Sequence, residues 1–214
     1  NHVDTRAPDY PLLRIKYVLL LCLLPVLLAA ALLQWRYFLA LKADVITSCC
    51  GSLFSDAAPG ITADLAAAPP LPTMLAFYLS LALAGGGALL YRRWQRGGYL
   101  VALLSALAFA VTMAAVLAFI SLYVYEHPHH HCPFCILKPE YGYQGYALYG
   151  PLFIGTAAGL GVGAVQAFAS VPSLRSVVPA VAGRLAGLSA GMFLAVAVVA
   201  SLIVINSRLL LLAT

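Results

Sequence analysis

The sequence predicts an all-α integral membrane protein, built as a bundle of about five transmembrane helices. Hydrophobic residues make up 63% of the 214-residue chain, charged residues make up 9%, and the mean hydropathy is +0.95. A soluble domain carries about 25% charged residues, so this chain has too few charges to cover a surface that faces water. Its apolar residues form long unbroken runs and not short alternating segments, which excludes a membrane β-barrel.

Five apolar runs approach or exceed the roughly 20 residues that a helix needs to cross the hydrocarbon core of a bilayer. The predicted spans are residues 17–40, 73–91, 98–125, 148–170 and 185–207. The two longer connections are loops at 42–72, which is broken by prolines, and at 126–146. Neither loop is expected to form a second domain, so residues 1–214 are predicted to be a single transmembrane domain.

The distribution of Lys and Arg predicts the orientation of the chain. If the N-terminus is inside, eight basic residues lie on the inner side and four on the outer side. The inner residues are Arg6, Arg14, Lys16, Arg92, Arg93, Arg96, Arg175 and Arg184, and the outer residues are Arg36, Lys42, Lys138 and Arg208. The positive-inside rule therefore favours an inside N-terminus and an outside C-terminus. Both long loops would then face the periplasm if the membrane is a bacterial inner membrane.

The composition and motifs also exclude several functions. The largest basic cluster is Arg92, Arg93 and Arg96, so no nucleic-acid partner is expected. No ionisable residue lies deep in a predicted span, although proton relays and ion paths need such groups within the membrane. Proton-coupled transport and an aqueous ion channel are therefore not expected. A P-loop, a zinc-protease helix motif and a nucleotide-binding fingerprint are missing.

Two ladders of glycine occur in the last two predicted spans. They consist of Gly155, Gly159 and Gly163 in the fourth span and of Gly183, Gly187 and Gly191 in the fifth. Small residues at this spacing let helix backbones approach closely within a membrane. The ladders are expected either to pack the fourth span on the fifth or to dock another membrane subunit, and the sequence leaves both interpretations open.

Most of the reactive side chains lie in the two outer loops. The second loop contains four of the five histidines and two of the five cysteines, in the run His127-Pro-His129-His130-His131-Cys132-Pro-Phe-Cys135. The first loop contains the adjacent pair Cys49 and Cys50. Because both loops emerge on the same predicted side, Cys49 or Cys50 is expected to lie close to Cys132 or Cys135 in one site. Cys22, in the first span, is expected to be a packing residue.

The first chemistry that this cluster predicts is soft-metal binding. Thiolate and imidazole ligands select Cu(I), Zn(II) or Hg(II) over Mg and Ca. The predicted metal ligands are Cys49, Cys50, Cys132, Cys135, His127, His129, His130 and His131, with His129 and His131 as the better-placed imidazoles. Copper is the expected ion and zinc the alternative, and the expected role is metal capture, delivery or assistance to a transporter.

The second chemistry is thiol–disulfide exchange, in which Cys49, Cys50, Cys132 and Cys135 would be catalytic. Cationic histidines would stabilise a reactive thiolate, and a second cysteine pair could pass electrons on by exchange. If the protein is an enzyme, the sequence predicts a thiol–disulfide oxidoreductase.

The segment Cys132-Pro133-Phe134-Cys135-Ile136-Leu137-Lys138, just ahead of a span, resembles the Cys-x-x-Cys-Ile motif of the DsbB-type quinone-linked disulfide oxidoreductases. That family also carries two cysteine pairs in two periplasmic loops. The resemblance implies that Cys132 and Cys135 face a quinone and that Lys138 lies near the position of the family's basic residue. The chain departs from the family pattern because it has five predicted spans instead of four and carries the motif in its second outer loop.

The sequence allows two further interpretations of the function. Ser48-Cys49-Cys50 is similar to the vicinal cysteines of small mercuric-ion transport proteins, although those lie within the first membrane helix. Alternatively, the chain is a structural subunit that docks another membrane subunit or a periplasmic protein through the glycine ladders or the outer loops. The tyrosines around the second loop are expected to form an interfacial belt or to line a site for a quinone or a partner.

Overall fold

The computed structural model describes residues 3–41, 61–128 and 130–209, with residues 61–63 described by their backbone alone. Its helices are α1 (Leu13–Ala40), α2 (Ile61–Ala66), α3 (Pro70–Trp94), α4 (Gly98–Ala115), α5 (Ser121–Tyr125), α6 (Gln144–Gln166) and α7 (Val177–Asn206). With α4 and α5 taken as one segment, five helices are long and apolar enough to cross a membrane. No strand occurs in these residues, so the predicted all-α fold is confirmed, together with five helices of spanning length. The orientation of the termini stays a prediction.

The last two spans begin earlier than the sequence predicted. Helix α6 begins at Gln144, a polar residue that is exposed in its first turn, and α7 begins at Val177, two turns before Arg184. Arg184, which marked the predicted start of the fifth span, is an exposed residue inside α7. Charged side chains near a helix end can reach polar surroundings without ending the helix.

A π-helical turn, Val116–Ile120, joins α4 to α5, and its five residues are all buried. The amide of Ser121 bonds to the carbonyl of Val116, five residues earlier. Such turns insert one residue into an α-helix and frequently occur near functional sites. Here the turn lies just before the loop that carries the His-Cys segment.

Helices α3, α4, α6 and α7 form a four-helix bundle in which α6 packs between α4 and α7. Its core contains Phe77, Phe119, Leu148 and Phe193, each at most 1% exposed. The rings of Phe77 and Phe119 meet edge to face, with their centroids 5.8 Å apart, a favourable geometry for aromatic pairs. This core supports the end of the bundle from which the His-Cys loop emerges.

The two glycine ladders differ in what they face. A Cβ atom on Gly163 would lie 2.6 Å from the Cβ of Ala102 in α4, and one on Gly155 would lie 3.0 Å from the Cβ of Met192 in α7. The α6 ladder therefore packs within the bundle, on α7 at Gly155, as the first interpretation expects, and on α4 at Gly163. The α7 ladder does not pack against α6, because Gly187 faces Arg92 of α3 and nothing lies within 4 Å of a Cβ at Gly191.

Helix α1 differs from the other spans because none of its residues is buried. The prediction that Cys22 is a packing residue is therefore wrong, since this side chain is exposed. The segment that precedes α1 is anchored instead. Val3, Ala7 and Leu12 form a small apolar cluster with residues that include Leu174 and Val178, at the start of α7.

Asp4 fixes this N-terminal segment through its buried carboxylate. One carboxylate oxygen accepts a hydrogen bond from the backbone N–H of Leu12 at 2.8 Å, and the other pairs with the ammonium group of Lys16. The bond from Lys16 is the main cause that lowers the pKa of Asp4 below its usual value; burial opposes it and the Leu12 bond assists it. The pair ties the start of α1 to the end of the bundle remote from the His-Cys loop.

Candidate metal centre

The His-Cys loop connects α5 to α6 and is shaped by left-handed residues at both of its ends. Glu126, with a φ of 51°, ends α5 and reverses the chain. Gly142 and Tyr143, with φ values of 62° and 56°, lead into α6. Left-handed residues are common where helices end, and here they fold the intervening segment back over the bundle.

Both sulfur atoms of the Cys-x-x-Cys segment belong to buried residues. Cys132 is 1% exposed and Cys135 is 4% exposed, whereas Phe134 between them is 62% exposed. A 3₁₀ turn at Cys135–Leu137 is closed by a bond of 3.0 Å from the amide of Lys138 to the carbonyl of Cys135. The path of the backbone into this turn thus leaves both cysteines buried and the phenyl ring of Phe134 exposed.

His130 completes a three-residue group with the two cysteines. One ligand atom from each of His130, Cys132 and Cys135 lies within 4.8 Å of the other two. The Nε2 atom of His130 is buried and makes no hydrogen bond to any described residue. Buried polar atoms are nearly always satisfied in proteins, so an unsatisfied nitrogen beside two sulfurs fits a site for a soft metal ion.

The protonation state of His130 also suits a metal ligand. Burial lowers the pKa of this imidazole below its usual value of 6.5, and the nearby His127, His131 and Lys138 lower it further. The ring therefore stays neutral at neutral pH and keeps a lone pair available. Metal binding requires a neutral imidazole and deprotonated thiols, so only the two cysteines must lose protons.

Two tyrosines hold the loop in place. The hydroxyl of Tyr125 donates to the carbonyl of Cys132, and the hydroxyl of Tyr149 donates to the carbonyl of Pro133 at 2.7 Å. The ring of Tyr125 also lies 4.1 Å from the His130 ring, measured between centroids. These tyrosines, from α5 and α6, therefore position the loop that carries the ligands.

Gly145, in the first turn of α6, is a position of close packing against the site whose role sequence analysis missed. A Cβ atom there would lie 2.8 Å from Cγ1 of Ile136 and 2.9 Å from its carbonyl oxygen. The absence of a side chain lets α6 approach the 3₁₀ turn that contains Cys135. The only signal in the sequence was a glycine shortly after the Cys-x-x-Cys segment.

The structure brings together three of the predicted ligands. His131, one of the two imidazoles favoured from the sequence, is buried but directs Nδ1 to the carbonyl of Leu117 at 2.7 Å, and it is not part of the three-residue group. His127 is exposed and also lies outside the group. Cys49, Cys50 and His129 lie outside the described residues. The prediction that both loops form one site is therefore still a prediction.

The fold and site define a helical protein that has five helices of membrane-spanning length and a His/Cys group able to hold a metal ion. No protein-family model, curated protein or solved structure matches the chain significantly. The function must therefore be argued from the site itself, because a fold does not specify a function.

Proposed function

We propose that this is an integral membrane protein that captures or delivers a soft metal ion, copper(I) before zinc, at His130, Cys132 and Cys135. The observation that carries the proposal is the convergence of two buried sulfurs with a histidine whose Nε2 atom is buried and unsatisfied. By the positive-inside rule, we place this site on the outer face of the membrane.

The number of donors favours copper(I) over zinc. Structural zinc is almost always held by four protein ligands, and the described group supplies three. Soft thiolates select Cu(I), which is satisfied by fewer donors than Zn(II). If Cys49 or Cys50 reaches the site, a fourth donor becomes available and the preference shifts toward zinc.

The position of the site favours capture or delivery over conduction through the bundle. The group lies in a loop at one end of the bundle, beyond Tyr125 and before Gln144. The bundle core is formed by apolar residues such as Phe77, Phe119 and Phe193. Among the described residues of that core an ion would meet no charged ligand. We therefore propose that the ion is exchanged with a partner molecule at the same face.

Metal binding can be tested by an anaerobic Cu(I) titration of the purified full-length protein against a competing chelator. We expect the wild-type protein to bind one ion tightly at this site and both Cys132→Ser and Cys135→Ser to lose that binding. Cys22→Ser is the matched control, because Cys22 is an exposed thiol on α1. Wild-type protein that binds no Cu(I), or an equal loss in Cys22→Ser, would contradict the proposal.

The second candidate function is a thiol–disulfide oxidoreductase that reduces a quinone. It is favoured by the four-helix bundle that carries the Cys-x-x-Cys loop at one end. Since α1 contributes no buried residue, the packed core has the number of spans of the DsbB-type family. The two thiols would form a disulfide and release two protons and two electrons, which convert quinone to quinol. Burial of both sulfurs hinders direct attack on a bulky protein disulfide.

The two functions can be distinguished by counting thiols. Metal-free protein is incubated anaerobically with a short-chain ubiquinone, and both free thiols and quinol are measured. Loss of two thiols for each quinol formed in wild-type and Cys22→Ser protein, but not in Cys135→Ser, would support the oxidoreductase. Unchanged thiols, combined with tight Cu(I) binding, would support the metal site.

A further inference from the structure

An apolar groove runs between α3 and α7 on the outside of the bundle. It extends from Tyr78 to Leu89 on α3 and from Gly187 to Ala197 on α7, with a volume of about 630 Å³. Nothing lies within 4 Å of a Cβ atom built on Gly86 or on Gly191. No described residue therefore fills the groove at these two positions. The groove lies on a surface that would face lipid.

The length and the lining of the groove suit a hydrocarbon chain. The segment from Tyr78 to Leu89 is about 16 Å long at a rise of 1.5 Å per residue. Apart from Tyr78, the groove is lined by Leu, Ala, Gly and Phe residues. The hydroxyl of Tyr78 shares a hydrogen bond with that of Ser201 at 2.9 Å, so the polar atom of this lining residue is satisfied.

Arg92 lies at one end of this groove. A Cβ atom on Gly187 would be 3.0 Å from Nη1 of Arg92 and 3.8 Å from its Cδ atom, so the end of the arginine side chain lies along the backbone of α7. Within the described ranges no carboxylate pairs with Arg92. Arg184, one turn before Gly187, is a second exposed cation. The groove thus ends near two arginines, and no ion pair neutralises Arg92 among the residues that the structure describes.

We propose that this groove binds an anionic phospholipid, with an acyl chain along α3 and α7 and the phosphate on Arg92. Basic pockets between membrane helices bind anionic headgroups, and the planar guanidinium group matches the geometry of a phosphate. The apolar length of the groove and the cation at its end correspond to the two parts of such a lipid. The inference is independent of metal binding, because the groove lies on a different part of the bundle from the His-Cys loop.

The proposal can be tested by native mass spectrometry of the full-length protein, equilibrated with equal amounts of dioleoyl-phosphatidylglycerol and dioleoyl-phosphatidylcholine. We expect the wild-type protein to retain phosphatidylglycerol about fivefold more than phosphatidylcholine, as expected for one cation near an anionic headgroup. Arg92→Gln should remove this preference. Arg93→Gln, which makes the same charge change on the same helix, should keep it.

A second pair of variants tests the apolar part of the groove. Gly86→Leu and Gly191→Leu fill open space and should lower the retention of both lipids severalfold, whereas Gly150→Leu on α6, where a Cβ also meets nothing within 4 Å, should not. Thermal unfolding of each variant verifies that it is folded. Equal retention of the two lipids by the wild-type protein, or an equal effect of Arg93→Gln, would overturn the proposal. So would a wild-type dimer that Gly191→Leu dissociates, since a second copy would then occupy the groove.

Discussion

The Nδ1–H of His131 donates a hydrogen bond to the backbone carbonyl oxygen of Leu117, with a distance of 2.7 Å between the two atoms. Leu117 belongs to the π-helical turn, and His131 directly precedes Cys132. Both residues are buried, at 8% and 4% exposure respectively. The bond therefore connects the π-helical turn to the segment that carries the proposed ligands. It thereby fixes the position of the backbone next to Cys132.

Replacing His131 should loosen this connection. In His131→Ala the buried carbonyl of Leu117 loses its donor, and we expect the free energy of unfolding to fall by about 1–3 kcal/mol. Cu(I) affinity should fall by about 10–100-fold, as for other residues that orient metal ligands. His131→Asn, which can place an amide N–H near the position of Nδ1, should recover much of both losses. Detergent-induced unfolding and competitive Cu(I) titration measure the two quantities. Equal affinities of His131→Ala and the wild-type protein would contradict the positioning role.

The sequence was sufficient to predict the five spans and the reactive loop, because long apolar runs and a His-Cys cluster are visible in composition alone. It could not select the imidazole that joins the sulfurs. That choice depends on the reversal at Glu126 and on the 3₁₀ turn at Cys135–Leu137, which arise from the path of the backbone between two helices. The sequence also could not predict which helix the α7 glycine ladder packs against, since this depends on the neighbour that Gly187 faces in the folded bundle.

The choice between the histidines can be tested with a matched pair of variants. His130→Ala removes one of three donors and should lower Cu(I) affinity by more than about 100-fold, beyond the range for residues that only orient ligands. His127→Ala removes an exposed imidazole of the same loop and should leave the affinity nearly unchanged. Competitive titration at fixed pH measures both affinities. If His127→Ala has the larger effect, the ligand set proposed for the site is wrong.

The close approach at Gly145 predicts a steric effect on the site. In Gly145→Ala the new Cβ would lie 2.8 Å from Cγ1 of Ile136, so the 3₁₀ turn or the start of α6 must shift. Overpacking of this kind lowers stability by about 1–3 kcal/mol, and displacement of Cys135 should weaken metal binding as well. Gly150→Ala, on the same helix with open space around it, is the control and should be tolerated. Identical unfolding and binding curves for the two variants would show that the approach is not tight in solution.

The buried carboxylate of Asp4 predicts that the N-terminal anchor depends on pH. Because the bond from Lys16 lowers the pKa of Asp4 below the reference value of 3.8, the carboxylate stabilises the folded segment fully well above pH 3.8. This contribution is lost as the pH falls through the lowered folded-state pKa, because protonation then removes the charge that pairs with Lys16. Asp4→Asn should abolish the pH dependence and should also weaken the bond from the Leu12 amide, which now donates to the Asp4 carboxylate at 2.8 Å. Hydrogen exchange of residues 3–12, followed from neutral pH to about pH 3 and corrected for intrinsic exchange rates, measures both effects.

Asp9→Asn, an equal charge change at an exposed position, is the control and should retain the wild-type profile. Faster exchange in Asp9→Asn than in Asp4→Asn would mean that the buried pair does not hold this segment against α7.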